Sequence, residues 1–254
     1  MALTKVTGAG VEGVTISSTT DTSDQFILTN TDTGSSSGPD LVLFRQSTSS
    51  AADSDGIGRI DYRGLNDANE EINYATTYAK ISDASDGTED GEFYIQQISG
   101  GSYVTTLKID GSGAVTKPLQ PAFNATNDGT QSNIALATQV TVALGTERFD
   151  INADFASNTF TAPVTGKYQL NIFIRIDSLD SAANYYELRI LTSNSGYGII
   201  MDPDFGQDQS YFNMAFAVLA DMDASDTATV ELRQEGGTQQ TDILDARFSG
   251  FLVC

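Results

Sequence analysis

The 254-residue chain contains no histidine and no tryptophan, and its single cysteine, Cys254, is the last residue. Without histidine there is no Ser-His-Asp or Cys-His nucleophile system, and the commonest zinc ligand is missing. One cysteine cannot close an intrachain disulfide, so a disulfide-stapled scaffold is excluded. Placed in an apolar strand, Cys254 reads as a small core or edge residue, not a reactive thiol. Basic residues are scarce: 13 Lys and Arg stand against 34 Asp and Glu, a formal net charge of -21. Such a chain repels phosphate backbones and anionic membrane leaflets while staying soluble, so neither nucleic acid nor membrane is an expected partner. No apolar run approaches the ~18 residues of a membrane span. Met1 to Ile16 lacks the basic segment and apolar run of a secretory signal, and none is expected. No apolar face of helical period lasts beyond about two turns, which argues against long helices.

What remains is rich in Gly, Ser, Thr, Asp and Asn, with β-branched and aromatic residues at regular spacing. Residues 1–23 interleave small residues with single apolar ones. They read as an extended N-terminal arm with too little apolar area to order alone, and thus as the attachment point to a partner protein. Residues 24–115 form a first β region with expected strands at Gln25–Asn30, Leu41–Gln46, Gly58–Gly64, Glu71–Ile81, Glu92–Ile98 and Ser102–Asp110, each bounded by Gly, Asn or Asp turns. Their spacing suggests an antiparallel sandwich or an intertwined β prism. Residues 116–120 are the expected linker, since Pro118 and Pro121 block ladder pairing nearby.

Residues 121–254 alternate cleanly. Tyr168, Leu170, Ile172, Ile174 and Ile176 point one way along one strand, Tyr186, Leu188 and Ile190 along another, and Val230 and Leu232 along a third, with polar residues between them. Two strands break the rule. In Tyr211–Ala220, Phe212, Met214, Phe216 and Val218 share one face, but the other carries Tyr211, Ala215, Ala217 and Leu219. In Arg247–Cys254, Phe248 and Leu252 oppose Phe251 and Val253. A strand that is apolar on both faces must be covered on both. A two-sheet domain covers only one, so Tyr211, Ala215, Ala217, Leu219, Phe251 and Val253 are expected to meet another subunit.

Three blocks here carry a family resemblance. Asn158-Thr-Phe-Thr-Ala-Pro-Val-Thr-Gly-Lys-Tyr168 is similar to the C1q-family stretch in which a short strand ends in Pro and Gly-x-Tyr opens the next. Pro121-Ala-Phe-Asn-Ala125 resembles that family's first strand, and Phe248-Ser-Gly-Phe-Leu252 its last. The resemblance implies a C1q/TNF-like jelly roll of two sheets over residues 121–254, assembled as a compact homotrimer through the sheet holding the two-faced strands. The collagen-like stalk common in the family is absent, leaving its role to residues 1–120. In that region Gly38-Pro-Asp-Leu-Val-Leu-Phe-Arg45, Gly58-Arg-Ile-Asp-Tyr-Arg-Gly-Leu-Asn-Asp67, Ser85-Asp-Gly-Thr-Glu-Asp-Gly-Glu92 and Leu107-Lys-Ile-Asp-Gly111 resemble blocks of bacteriophage tail-fibre and other virion-surface proteins. The expected class is therefore all-β: a jelly-roll sandwich behind a smaller antiparallel β domain and an extended arm.

Little points to catalysis. Gly8-Ala-Gly-Val-Glu-Gly13 matches a dinucleotide-binding spacing but has neither the preceding strand nor the following helix. The acidic groups Asp83/Asp86/Glu89/Asp90/Glu92, Asp202/Asp204/Asp208 and Asp221/Asp223/Asp226 miss the EF-hand spacing and read as solvated turns, with Ca²⁺ held where three acidic chains converge as the alternative. Glycoside hydrolysis needs only two carboxylates, but the long β-helical repeat on which phage depolymerases usually display them is not visible. The expectation is a non-enzymatic trimeric virion protein of tail-fibre or spike type, without a cofactor. It would bind a host-surface glycan or protein through loops including Tyr197, Asp202, Asp204 and Phe205. A capsid-decoration or head-fibre protein is the alternative, and a bacterial C1q-like recognition module the second.

Overall fold

The computed structural model describes residues 26–35, 38–46 and 49–254. The expected arm at 1–23 and the Gly8–Gly13 motif lie outside them. All regular structure among the described residues is β, and every ladder between strands is antiparallel.

The first unit is one sheet. Its strands are β1 (Gly56–Leu65), β2 (Glu71–Asp83), β3 (Asp90–Ser99), β4 (Ser102–Ile109) and β5 (Val115–Thr116), paired in chain order as a meander. Turn chemistry sets the register. Asn66 Oδ1 accepts the backbone N–H groups of Ala68 and Glu70, closing the β1–β2 hairpin. Gly100 and Gly101, at φ 55° and 80°, make the two-residue β3–β4 turn that favours positive φ at both positions. Thr116 pairs with Lys108, so the ladder runs one residue into the expected linker. The strands expected at 25–30 and 41–46 do not form among the described residues: 26–30 and 41–46 have no ladder partner, and their apolar side chains stay exposed. A β-like composition cannot make a strand without a neighbour to pair with. Nor does one chain build a sandwich here, because a meander of consecutive hairpins returns each strand to the same layer.

The second unit crosses between two layers. Its strands are β6 (Ala122–Thr126), β7 (Val140–Thr141), β8 (Thr146–Asp150), β9 (Phe155–Ala156), β10 (Thr159–Thr161), β11 (Gly166–Leu179), β12 (Ala183–Thr192), β13 (Gly196–Met201), β14 (Gln209–Met222), β15 (Thr227–Gly236) and β16 (Asp242–Leu252). One sheet has the order β14-β11-β16-β6-β8, the other β13-β12-β15-β10-β9 with β7 also on β15. This is an all-β jelly roll of two antiparallel sheets.

Period-2 alternation fills the space between the layers as expected: Tyr168, Leu170, Ile174 and Ile176 of β11 face Tyr186, Leu188 and Ile190 of β12 and Val230 and Leu232 of β15, all fully buried. An aromatic cluster joins the sheets. The Phe123 ring lies 4.6 Å from Phe160, 5.1 Å from Phe155 and 5.0 Å from Phe248. Tyr168, from the Gly-x-Tyr block, is buried beside Phe160 and donates its hydroxyl to the Val164 carbonyl at 2.7 Å, which removes the penalty of an unpaired polar atom. The glycine of that block is fixed by close approach: a Cβ on Gly166 would stand 2.6 Å from the Cys254 carbonyl oxygen. That oxygen accepts the Lys167 N–H at 2.8 Å, tying the chain end to the start of β11.

Candidate functional site

The β14-β11-β16-β6-β8 sheet has a second face that none of the described residues outside it covers. Alternation places Tyr211, Ala215, Ala217 and Leu219 of β14 on it, opposite the core-facing Met214 and Ala220, and all four are exposed. Phe251 of β16 and Val253 just after it are on the same face, each 48% exposed, while Tyr211 reaches 65% and Leu219 56%. The six residues expected from periodicity thus share one surface.

Register shows what lies between them. Gln169 stands between Leu219 and Phe251, Asn171 between Ala217 and Ser249, Phe173 between Ala215 and Arg247, and Arg175 between Asn213 and Asp245. The face is graded from an apolar end at Leu219, Phe251 and Val253 to a charged end. The Arg247 guanidinium lies 5.6 Å from the Phe173 ring centre and 3.0 Å from Asp245 Oδ2. Arg175 Nε donates to Asn213 Oδ1 at 3.3 Å. A cleft of about 380 Å³ lined by Asn124, Thr126, Asn127, Arg148, Asp245 and Arg247 opens at this charged end. Buried Asn124 Oδ1 has no hydrogen-bond partner among the described residues, an unmet acceptor beside that cleft. The polar centre of the face was readable from the alternation of β11. The edge contribution of β8, including exposed Phe149, was not, because it depends on which strand closes the sheet.

The four expected receptor-binding residues are not brought together. Pairing of Gly166 with Met222 and of Tyr168 with Leu252 defines the end where the chain enters at Pro121. The turn 193–195 sits at that end, with Asn194 Nδ2 bonded to the Asp221 carbonyl at 3.4 Å. Tyr197 follows it at the start of β13 and packs against the core. Asp202, Asp204 and Phe205 lie past the other end of that strand, roughly 16 Å on at ~3.3 Å per residue. Tyr197 therefore lies at the opposite end of the sheet from Asp202, Asp204 and Phe205.

The far end gathers the loops at 178–184, 202–209 and 235–241. Ser181 donates through both its N–H and its hydroxyl to Asp208 Oδ1, at 2.8 and 2.7 Å. Buried Asp180 joins the loops at 178–182 and 236–241. Burial opposes its charge, but the backbone N–H groups of Gln239, Ala182 and Thr238 outweigh that and hold its carboxyl below the usual carboxylate range. Tyr186 lies in the core and accepts the Asp180 N–H; burial pushes its hydroxyl up to about 12. On this platform Asp202 and Asp204 are exposed, and Phe205 presents its ring to solvent while leaning on Phe212 at 5.6 Å. The acidic groups are spent on loop geometry: Asp202 accepts the Asp204 N–H, and Asp226 accepts from Asn194 and from the Asp223 N–H. Among the described residues no three His, Cys, Asp or Glu side chains converge as metal ligands.

No family model matches the chain, and no curated protein matches it. Solved structures resemble about half of it. The globular domain of zebrafish complement 1qA protein is 21% identical with a TM-score of 0.42, over 53% of this chain and 98% of that one. PRD1 vertex protein P5 is 12% identical with a TM-score of 0.35, over 54% and 99%. Murine APRIL is 11% identical with a TM-score of 0.35, over 51% and 98%.

Proposed function

We propose that the protein is a non-enzymatic homotrimer of a bacteriophage particle, of tail-fibre or spike type. Its jelly roll stands at the virion surface and binds a host-surface glycan or protein, while residues 1–120 join it to other virion proteins. The observation that carries the reading is the uncovered face of the β14-β11-β16-β6-β8 sheet. Tyr211, Leu219, Phe251 and Val253 are each about half exposed or more. Large apolar side chains left exposed on one sheet face mark an association surface. The small Ala215 and Ala217 leave room for close approach of another backbone. The resemblance of the blocks within residues 38–111 to virion-fibre sequences supports the particle assignment.

Binding is assigned to the loops at the end remote from Pro121. A rigid sandwich positions them while their sequence stays free to vary. The exposed Phe205 ring beside the Asp202 and Asp204 carboxylates suits a sugar, which offers an apolar face and hydroxyl edges. An adsorption assay with the full chain tests this. The purified protein is expected to bind host cells and compete with particles for attachment, and Phe205→Ala is expected to weaken the competition without changing the oligomer. If the full chain neither binds nor competes, receptor binding is wrong, and the decoration or head-fibre reading takes its place.

A further inference from the structure

The β1–β5 sheet has one finished face and one unfinished face. Register assigns the faces, since directly paired residues lie on the same side. Arg59, Tyr78, Tyr94 and Lys108 form one row of the polar face, and Asp61, Thr76, Gln96 and Thr105 the next. This face is satisfied from within. Tyr78 and Tyr94 stack at 4.7 Å, Lys108 bridges to Glu92 at 2.7 Å, and Asp61 pairs with both Arg59 and Arg63 at 2.9 Å.

The opposite face carries Ile60, Thr77, Ile95 and Leu107 in one row and Ala79, Phe93 and Ile109 in the next. Neither row holds a charged residue. Ile60, Tyr62, Phe93 and Ile95 remain 37–55% exposed, although Leu43 packs over Gly58 and borders a shallow cleft with Ile60, Thr77, Ala79 and Phe93. A single layer with an apolar face in water lacks the second layer that stable sheets need.

We infer that this face is covered by the same face of two further copies of the chain, so that residues 56–116 gain a core only between subunits. The inference rests on the trimer proposed above and extends it to a second interface. Three features select a second copy as the occupant. The segment from Thr116 to the start of the jelly roll at Ala122 spans at most ~20 Å when extended, so a trimer of jelly rolls holds three such sheets close together at high effective concentration. The apolar rows carry no charge, in a chain whose net charge of -21 otherwise makes copies repel. The charged residues Arg59, Asp61, Lys80, Glu92 and Lys108 all stand on the face that would point outward into solvent.

The lone cysteine makes the test clean. In the full chain carrying Cys254→Ser, single cysteines are placed by Ile60→Cys, Thr77→Cys and Ile95→Cys on the apolar face, and by Gln96→Cys on the polar face. Mild oxidation is expected to give disulfide-linked pairs of chains from at least one of the first three and none from the fourth. A link from any apolar position, with none from Gln96→Cys, establishes the shared face. No link from the three in a chain that sediments as a trimer overturns this inference and leaves the jelly-roll trimer standing. Equal linking from Gln96→Cys overturns it as well. A parent chain that sediments as a monomer overturns both readings.

Discussion

The two β units obey the same local grammar and end in different states. In β11, alternate residues from Tyr168 to Ile176 are almost completely buried; in β2, one residue shorter, only Thr76 is. Propensity does not separate them, for both strands alternate. Connectivity does. After β6 and β8 the chain crosses to β9 and β10, returns for β11, and crosses again, so the inner apolar faces of the two sheets meet. The β1–β5 meander never leaves its layer. A period-2 pattern declares a face to be buried, and only the path of the chain decides whether it is buried within the subunit or between subunits.

This contrast can be broken at graded cost. The largest expected effect is Phe123→Ala, which removes the ring that contacts Phe155, Phe160 and Phe248 and is expected to destabilise the sandwich by ~3–5 kcal/mol in thermal or denaturant unfolding. Ala215→Asp comes next. It sets three like charges at a dry interface, each desolvated at a cost of several kcal/mol, and is expected to dissociate the trimer while the sandwich stays folded. Ile95→Asp is its counterpart in the meander. The chain is expected to remain trimeric through the jelly roll, with residues 56–116 becoming open to protease; equal resistance to cleavage would count against a core shared between subunits.

Asp180→Asn tests the loop platform. The carboxylate accepts three backbone N–H groups, and loss of its charge is expected to destabilise by ~1.5–3 kcal/mol. The pH dependence has the same origin. The folded-state pKa of Asp180 is depressed, so its contribution is complete above the unfolded value of about 4 and disappears as pH falls through the lower folded value. Acid unfolding of Asp180→Asn is expected to lose that segment of the pH profile. The smallest effect belongs to Cys254→Ser. The side chain is exposed and only the backbone carbonyl is engaged, so unfolding is expected to shift by less than ~0.5 kcal/mol.

The sandwich was largely legible because its signals are local. The inward sets of β11, β12 and β15, and the two-faced character of β14 and the Phe251–Val253 segment, follow from counting residues in pairs. The Gly166 requirement was not legible, since the clash arises with Cys254, 88 positions away in the chain. Leu41–Gln46 looked like a strand because composition records propensity and not the presence of a partner. Tyr197, Asp202, Asp204 and Phe205 are near in sequence, but the strand between them carries Tyr197 to the opposite end of the sheet.

The central claim is that the outward face of the β14-β11-β16-β6-β8 sheet is an interface between copies of the chain. Sedimentation equilibrium of the full chain at micromolar concentration tests it most directly, with Ala215→Asp run in parallel. The account predicts three times the 27.0 kDa chain mass for the parent and a single chain for the variant. A parent that sediments at 27.0 kDa would contradict it.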